Sequence, residues 1–310
     1  MRPIRTATLL TAGLVTLLGI PAAAAAEDPN ILYVNNASSK CSDAGTGAPT
    51  APYCTVSAAA KAVMPGQTVR IRPGKAYDEA VTIDRSGTPG KPITFASYGW
   101  PNGGTQAELP FGKGVTVRGA SHVVIGGLRV GGGVLISGST DVELDGIASS
   151  RGALDSLVVD GASKNVSIRR SELRGARIEG GSTGTVLGRN VVSGTHRSAV
   201  TVVDAPGTVV TNNTVYGSCA AALTVAGGST DAGLFNNVLH TEARSDSCTS
   251  GDPRNGILVA QSAATGTASD HNLITGLPGA RRRCRTAGPE PRTRTRRPSG
   301  PRRARAGTTS

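Results

Sequence analysis

Two carboxylates of this sequence occupy the same position in neighbouring repeats. Asp160 ends the segment LVVDG, and Glu179 ends the segment ARIEG, 19 residues further on. If each segment is one strand of a stack, the two side chains lie about 4.8 Å apart on the outward face. At that separation two like charges repel by about 1 kcal/mol in water and by roughly 3 to 4 kcal/mol at an effective dielectric constant of 20. The pair therefore requires a cation or a shared proton.

Three cations are candidates for this role. Arg177 lies two residues before Glu179 on the same face, Arg118 lies two coils away, and Ca²⁺ binds carboxylate oxygens. The functional interpretation is a metal site or an acid/base site formed by Asp160, Glu179 and Arg177. The alternative is a solvated carboxylate pair that Arg177 screens.

Loops before the strands add further polar residues to this face. His196 and Arg197 are the best candidates for proton transfer, because His titrates near neutral pH and Arg binds a carboxylate through two hydrogen bonds. The alternative for each of these side chains is a solvated loop residue without a ligand. The remaining polar loop residues are Arg151, Asp155, Asp252, Arg254 and Asn255.

The elements that position these side chains form a repeat of seven segments. Successive segments start 19, 23, 19, 24, 23 and 34 residues apart, which is typical of one coil of a solenoid. With 3% aromatic residues and 42 glycines, the composition favours thin β coils that pack on small and β-branched side chains. The segments are VTVRG at Val115, VLISG at Val134, LVVDG at Leu157, ARIEG at Ala176, VTVVD at Val200, LTVAG at Leu223 and ILVAQ at Ile257.

Alternation along each segment assigns its two faces. The first and third residues point inward, and the second and fourth point outward. The outward column at the fourth position contains Arg118, Ser137, Asp160, Glu179, Val203, Ala226 and Ala260. A second column is interpreted as structural, because stacked amides hydrogen-bond from coil to coil; it contains Gly127, Gly146, Ser171, Asn190, Asn213, Asn237 and Asn272.

The net charge of +12 is concentrated at the two ends of the chain. Residues 281–310 hold 11 arginines and one acid, and the first 26 residues hold two arginines, which leaves 20 basic and 20 acidic residues between them. A neutral body offers no basic surface for nucleic acid. Arg2, Arg5 and the apolar run from Ala7 to Ile20 predict a signal peptide over residues 1–26 and therefore export. The run is too short for a membrane span.

Four of the five cysteines form two local pairs. Export permits disulfides. Cys219 and Cys248 follow the Asn column in consecutive coils, where stacking places their loops side by side, so we predict a disulfide between them. We predict a second disulfide between Cys41 and Cys54. Metal binding is the weaker alternative, because no C-x-x-C spacing occurs.

The segments outside the repeat define the remaining regions. Residues 27–114 are predicted to form an N-terminal cap with a helix over Thr55–Met64, followed by irregular coils. Residues 115–276 are the regular coils. Residues 277–310 are rich in Arg and Pro, which indicates a disordered tail. One interpretation of this tail is a functional basic arm. We favour a GC-rich frame translated out of phase, which would leave the last coil without a cap.

Four segments carry motifs that point to a known family: TVRIRPGKAYDEAVTI at Thr68, SGTPGKPITFASYG at Ser86, NNTVYG at Asn212 and FNNVLH at Phe235. Together they resemble secreted bacterial right-handed parallel β-helix proteins, and most closely the superfamily of polysaccharide lyases that includes chondroitinase B and family 9 pectate lyases. The resemblance spans roughly residues 30–275. It implies an all-β right-handed parallel β-helix, with an N-terminal capping helix and a surface that faces carbohydrate.

The resemblance also implies a chemistry. Lyases of this superfamily abstract the proton α to a uronate carboxyl with a Lys or Arg base, beside Ca²⁺ held by acidic residues. The regular coils contain a single lysine, Lys164, at a turn, and no Asp-Asp cluster lies on their strands. The family's catalytic set is therefore not carried over to this chain.

Two functions follow as hypotheses. The first is a secreted lyase that acts on a uronate-containing polysaccharide by proton abstraction and β-elimination, with Ca²⁺ as the expected cofactor. The second is a secreted, non-catalytic β-helix that binds glycans or the cell surface, and an inactive truncated copy is a further alternative. In each case we expect a monomer with a polysaccharide or cell-surface glycan as partner, without nucleic acid and without a membrane after signal removal.

Overall fold

The computed structural model describes residues 28–149, 155–193, 198–218, 220–241 and 255–275. These residues form 26 strands, one α-helix, α1 (Val56–Ala62), and one 3-10 helix (Gln261–Ala263). In chain order the strands are β1 (Ile31–Val34), β2 (Thr68–Ile71), β3 (Val81–Ile83), β4 (Ile93–Ser97), β5 (Ala107–Leu109), β6 (Val115–Arg118), β7 (Ser121–Gly126), β8 (Leu128–Val130), β9 (Val134–Ser137), β10 (Thr140–Asp145), β11 (Ala148–Ser149), β12 (Leu157–Asp160), β13 (Lys164–Arg169), β14 (Glu172–Arg174), β15 (Ala176–Ile178), β16 (Val186–Gly188), β17 (Val191–Ser193), β18 (Val200–Val203), β19 (Val209–Thr211), β20 (Thr214–Ser218), β21 (Leu223–Ala226), β22 (Gly233–Phe235), β23 (Val238–Thr241), β24 (Ile257–Val259), β25 (Ala268–Asp270) and β26 (Leu273–Thr275).

The strands form three parallel sheets that the chain visits in turn. Sheet 1 has the order β1-β2-β4-β7-β10-β13-β16-β19-β22-β25, sheet 2 the order β3-β6-β9-β12-β15-β18-β21-β24, and sheet 3 the order β5-β8-β11-β14-β17-β20-β23-β26. One coil therefore runs from sheet 2 to sheet 1 to sheet 3 and returns to sheet 2 one strand further along. Three parallel sheets wound by successive coils are a parallel β-helix, which confirms the predicted fold class.

Sheet 2 contains the seven segments of the sequence repeat in the predicted register. Leu157 pairs with Val134 on one side and with Ala176 on the other, so the segment starts lie directly beside one another. The inward residues of the first six segments are buried. Ile257 and Val259 of the seventh are partly exposed, because β24 is the last strand of sheet 2 among the described residues. Burial of these aliphatic side chains provides the core.

In the coils of Ser171, Asn190, Asn213 and Asn237, the corner between sheet 1 and sheet 3 consists of one residue in the left-handed region and one buried polar residue. In one coil Arg189 has a φ of 59°, and Asn190 follows it and is buried. Asn190 Nδ2 donates to Asn213 Oδ1 at 3.1 Å, and Asn213 Nδ2 donates to Asn237 Oδ1 at 3.0 Å. Each buried amide thus finds its partner in the next coil.

The first two coils place this column one residue later than the sequence alignment does. Gly127 and Gly146 both have a φ of 65° and match the corner position of Arg170. The buried positions that follow them hold Leu128 and Ile147. The alignment is wrong there by one residue, because a glycine carries no side chain that would show on which side of the corner it lies.

The predicted helix is present over Val56–Ala62, with Thr55 as its N-cap, and it ends two residues before the predicted end at Met64. Thr55 Oγ1 accepts from the backbone N–H of Ala58 at 3.1 Å. The carboxylate of Glu79 accepts the first two helical N–H groups at 2.7 and 3.0 Å. The buried face of the helix is apolar and consists of Val56, Ala59 and Ala60. A role of this helix as the cap of the first coil stays a prediction.

The predicted disulfide between Cys41 and Cys54 is present and joins the loop after β1 to the start of α1. Asp43 supports the same junction, because its Oδ1 accepts from the backbone N–H groups of Cys54 and Thr55 at 2.8 and 2.9 Å. No helix in the described part of the chain is long and apolar enough to cross a membrane.

Three predicted features lie outside the described residues. They are the signal peptide over residues 1–26, the disulfide between Cys219 and Cys248, and the tail over residues 277–310. These features and the predicted domain boundaries stay predictions.

Candidate functional site

The outward face of sheet 2 carries the predicted column of fourth-position residues. Arg118 is exposed, whereas the next three members, Ser137, Asp160 and Glu179, are half-buried. From Val203 onward the column is apolar. The charged part of the face is therefore short and spans the strands β6, β9, β12 and β15.

Arg177 lies on β15, the last strand of this charged part, and forms ion pairs with two carboxylates. Its Nε is 3.5 Å from Glu179 Oε1 and 3.6 Å from Asp155 Oδ2. All three side chains keep between 31% and 41% of their exposure, so solvent screens the attraction and each pair contributes at most about 1 kcal/mol. The cation that balances Glu179 is thus the arginine two residues before it.

The partner of Arg177 on the other side was not apparent from the repeat. Asp155 lies in the loop before β12, and the sequence placed it on the border of the face without an assigned contact. A signal for this contact was present in the sequence. Asp155 lies two residues before the start of β12, and β12 pairs directly with β15, the strand of Arg177.

Asp160 forms no ion pair with the described residues, whereas Asp155 and Glu179 both pair with Arg177. Its Oδ1 is buried and makes no hydrogen bond with the residues that the structure describes. The backbone carbonyl of the same residue does have partners, since Asp160 O accepts from Ser163 Oγ at 2.7 Å and from Gly138 N at 3.2 Å. A buried carboxylate oxygen without a donor is costly, by about 1 to 3 kcal/mol or more. The residue as a whole is half-buried, so a ligand donor or a proton reaches this oxygen when the carboxylate rotates about its Cβ–Cγ bond.

The described residues do not form a complete metal site on this face. No group of three or more His, Cys, Asp or Glu side chains within the described ranges could hold a metal ion. Glu179 is occupied by Arg177, which leaves Asp160 as the one carboxylate of the predicted pair without a cation. Ca²⁺ takes six to eight oxygen ligands, so Asp160 and Glu179 would supply only part of its coordination sphere.

The structure does not describe the loop residues that the sequence predicts to transfer protons. His196 and Arg197 fall outside the described residues, as do Arg151, Asp252 and Arg254. Their contribution to the face stays a prediction.

A second group of charges on sheet 1 was missed by the sequence reasoning. Arg169 pairs with Glu143 one strand away, and Arg170 pairs with Asp145 through two hydrogen bonds. Asp145 is fully buried although it lies at an outward strand position. The sequence repeat contained the information needed to predict these ion pairs, because aligning β10 with β13 places the two acids beside the two arginines.

Comparisons with known proteins bear on the fold. No protein-family model and no curated protein matches this chain. Among solved structures it is similar to a rhamnogalacturonan lyase, with a TM-score of 0.50, 13% identity, and coverage of 69% of this chain and 70% of that chain. It is also similar to a GH136 lacto-N-biosidase from Eubacterium ramulus, with a TM-score of 0.50, 10% identity, and coverage of 81% and 68%.

At these identities the likeness shows the fold alone. The strand order and the structural neighbours agree, since both indicate coils of parallel strands. The chain therefore has the right-handed parallel β-helix fold that polysaccharide lyases such as rhamnogalacturonan lyase adopt.

Proposed function

We propose that this protein is a secreted carbohydrate-active β-helix protein that binds a polysaccharide along the outward face of sheet 2. The observation that carries the proposal is Asp160, whose buried, unpartnered Oδ1 lies on the same face as the ion-paired Arg177. A sugar hydroxyl is a donor of the right kind for such an oxygen.

The shape of the face supports an extended ligand. The seven repeat strands of sheet 2, spaced about 4.8 Å apart, extend over about 29 Å. Beside the charged column, hydroxyl groups of Thr116, Thr201 and Thr224 occupy outward positions that are half-buried. Thr224 Oγ1 is 2.8 Å from Ser198 Oγ, so this hydroxyl is held in place by a hydrogen bond. Thr201 and Thr224 are neighbours on adjacent strands, and hydroxyls placed in this way can hydrogen-bond to successive groups of a sugar chain.

The reaction that we propose is β-elimination at a uronate unit. Asp160 would accept the proton α to the uronate carboxyl, the electron pair would form the new C=C bond, and the glycosidic bond at the β carbon would break. The leaving oxygen would then take up a proton from water. Arg177 is the group that would orient the carboxyl of the substrate, since a guanidinium binds carboxylates through two N–H groups.

The net negative charge of the face is the reason to expect a bound Ca²⁺ ion. Asp155, Asp160 and Glu179 outnumber Arg177 by two negative charges, and a uronate would add a third. A bound cation would relieve that repulsion. Ca²⁺ at Asp160 and Glu179 stays a prediction, which calorimetric titration of the full chain with CaCl₂ tests.

A non-catalytic glycan-binding protein is the second candidate. It is favoured by the engagement of Arg177 with two acids and by the absence of lysine from the sheet 2 strands. In this case Asp160 accepts a hydrogen bond from a sugar hydroxyl and no bond breaks.

The experiment uses the full chain with pectin, alginate and glycosaminoglycans, with and without CaCl₂. The ultraviolet absorbance of unsaturated uronate ends reports elimination, and affinity electrophoresis reports binding. We expect product from at least one substrate, its loss in Asp160→Asn, and its retention in Glu172→Gln, a matched control on sheet 3. Binding without product would favour the second candidate. Neither binding nor product on any of these polysaccharides would refute the proposal.

A further inference from the structure

A pocket lies at the corner of sheet 1 and sheet 3, away from the sheet 2 face. It encloses about 190 Å³ between the loop over residues 98–106 and the strand end at Asp145. Ligand pockets for drug-sized molecules enclose about 300 to 1,000 Å³, so this one has the size for a single ring. The side chains that matter for its chemistry are Tyr98, Trp100, Gln106, Asp145 and Arg170.

Trp100 forms an aromatic wall of the pocket and lies directly on the sheet. A Cβ added at Gly126 would lie 2.4 Å from Trp100 Cε2, so the indole takes the space that a side chain would fill there. The Trp100 carbonyl accepts from Arg70 Nη1 at 3.1 Å. Tyr98 is 54% exposed beside it. Such rings offer flat apolar surface for stacking.

The loop that carries these rings is fixed at both ends. Ser97 Oγ donates to Thr105 O at 3.1 Å and accepts from Ala107 N at 2.9 Å. Gln106 Nε2 donates to Gly146 O at 2.9 Å, which ties the loop to the corner of a later coil. The pocket is thus preformed, which lowers the entropy cost of binding.

Arg170 is held at the pocket by a buried acid and keeps donors free. Its Nε donates to Asp145 Oδ1 at 2.7 Å, and its Nη2 donates to Oδ2. The Asp145 side chain is 1% exposed, whereas that of Arg170 is 53% exposed. This hydrogen bond raises the pKa of the guanidinium further, so Arg170 stays charged. Arg170 Nη1 has no hydrogen-bond partner among the described residues.

The surroundings of the pocket are basic, in a chain body that is otherwise neutral. Two further arginines lie against the aromatic loop: Arg70 binds the Trp100 carbonyl, and Arg72 lies 5.9 Å from the centroid of the Tyr98 ring. With Arg169 and Arg170 they make four cations, and the acids that face them are Glu143 and Asp145. The local excess of two positive charges favours an anionic ligand.

We propose that this pocket is a second carbohydrate site, which binds one acidic sugar residue of the hexuronate class. The apolar face of the sugar ring stacks on Trp100 and Tyr98, and its carboxylate accepts from Arg170. The site lies on different sheets from the face of Asp160, so it holds a glycan without taking part in the reaction proposed there.

Trp100 is the only tryptophan of the sequence, so its fluorescence reports this pocket directly. The full chain is titrated with trigalacturonate and, in parallel, with the neutral trisaccharide galactotriose. We expect a saturable change of Trp100 emission with trigalacturonate only. Arg170→Gln should weaken the affinity about tenfold or more, which is the loss of a charge-assisted hydrogen bond. Arg189→Gln, at the same corner position one coil later, is the matched control and should leave the affinity unchanged.

Further variants separate binding from folding and from the sheet 2 site. Arg170→Gln leaves Asp145 without its main partner, so Tyr98→Ala provides a variant in which that ion pair is intact. Tyr98→Ala should also weaken binding, with an unchanged circular dichroism spectrum. Asp160→Asn should leave the Trp100 response unchanged. A missing response to trigalacturonate, an equal response to galactotriose, or full affinity in both pocket variants would overturn the proposal.

Discussion

Replacement of Asn213 by alanine should remove a central member of the buried amide column. Asn213 Oδ1 accepts from the backbone N–H of Asn190 at 2.9 Å and from Asn190 Nδ2 at 3.1 Å. Its own Nδ2 donates to Leu187 O at 2.8 Å and to Asn237 Oδ1 at 3.0 Å. Asn190 and Asn213 are both nearly inaccessible to water, so solvent cannot replace these bonds.

The expected loss of stability follows from the donors that remain without an acceptor. Asn213→Ala leaves two N–H groups of Asn190 unpaired, and each unpaired buried group costs about 1 to 3 kcal/mol. The free energy of unfolding should therefore fall by about 2 to 6 kcal/mol. Asn213→Ser should recover part of this loss, because Ser171 already acts as an acceptor in the same column, where its Oγ accepts from Ile147 N at 3.1 Å.

Urea unfolding followed by circular dichroism measures the effect on the full chain. The matched control is Asn212→Gly, at the exposed neighbouring position, where a φ of 56° suits glycine. That change should cost less than about 1 kcal/mol. If Asn213→Ala costs no more than Asn212→Gly, the amide column does not stabilise the β-helix in the way described.

Two further predictions concern the N-terminal part of the chain. Burial raises the pKa of Tyr77 to about 12 from 10.0. Below pH 10 the phenol is protonated in both the folded and the unfolded state, so its contribution to the free energy of unfolding is fully present there. As the pH rises from 10 towards 12 the phenol ionises first in the unfolded state, so the free energy of unfolding should fall by about 2 to 3 kcal/mol. Urea titrations across this pH range measure the decrease, which should be absent in Tyr77→Phe. The Cys41→Ser and Cys54→Ser double variant opens a loop with a separation of 13 residues and should lower the free energy of unfolding by roughly 3 kcal/mol; an unchanged urea midpoint would contradict this.

The repeat and the faces of its strands were accessible from the sequence because they depend on local alternation. Each segment of sheet 2 carries aliphatic residues at its first and third positions, and these positions are the buried ones, as Leu157 and Val159 illustrate. The position of the amide column was accessible only where a side chain marks it. At Gly127 and Gly146 no side chain does, and the alignment fails there by one residue.

The site was predictable where it depends on register and unpredictable where it depends on loops. Registering adjacent segments brings Asp160, Glu179 and Arg177 onto one face, as the sequence indicates. The contact between Arg177 and Asp155 depends on the path of a loop, which no periodicity describes. The burial of Asp145 depends on a different coil, whose loop over residues 98–106 covers its strand end, so the alternation rule assigns that residue to solvent.

The position of a bound oligosaccharide tests the central proposal most directly. A crystal structure of the Asp160→Asn variant, soaked with an oligomer of whichever polysaccharide the full chain binds, would show where the sugar lies while proton abstraction is blocked. We predict a sugar chain across β12 and β15 on the outward face of sheet 2, with a polar group within hydrogen-bond distance of the side chain at position 160. Sugar bound only on sheet 1 or sheet 3, with an empty sheet 2 face, would contradict it.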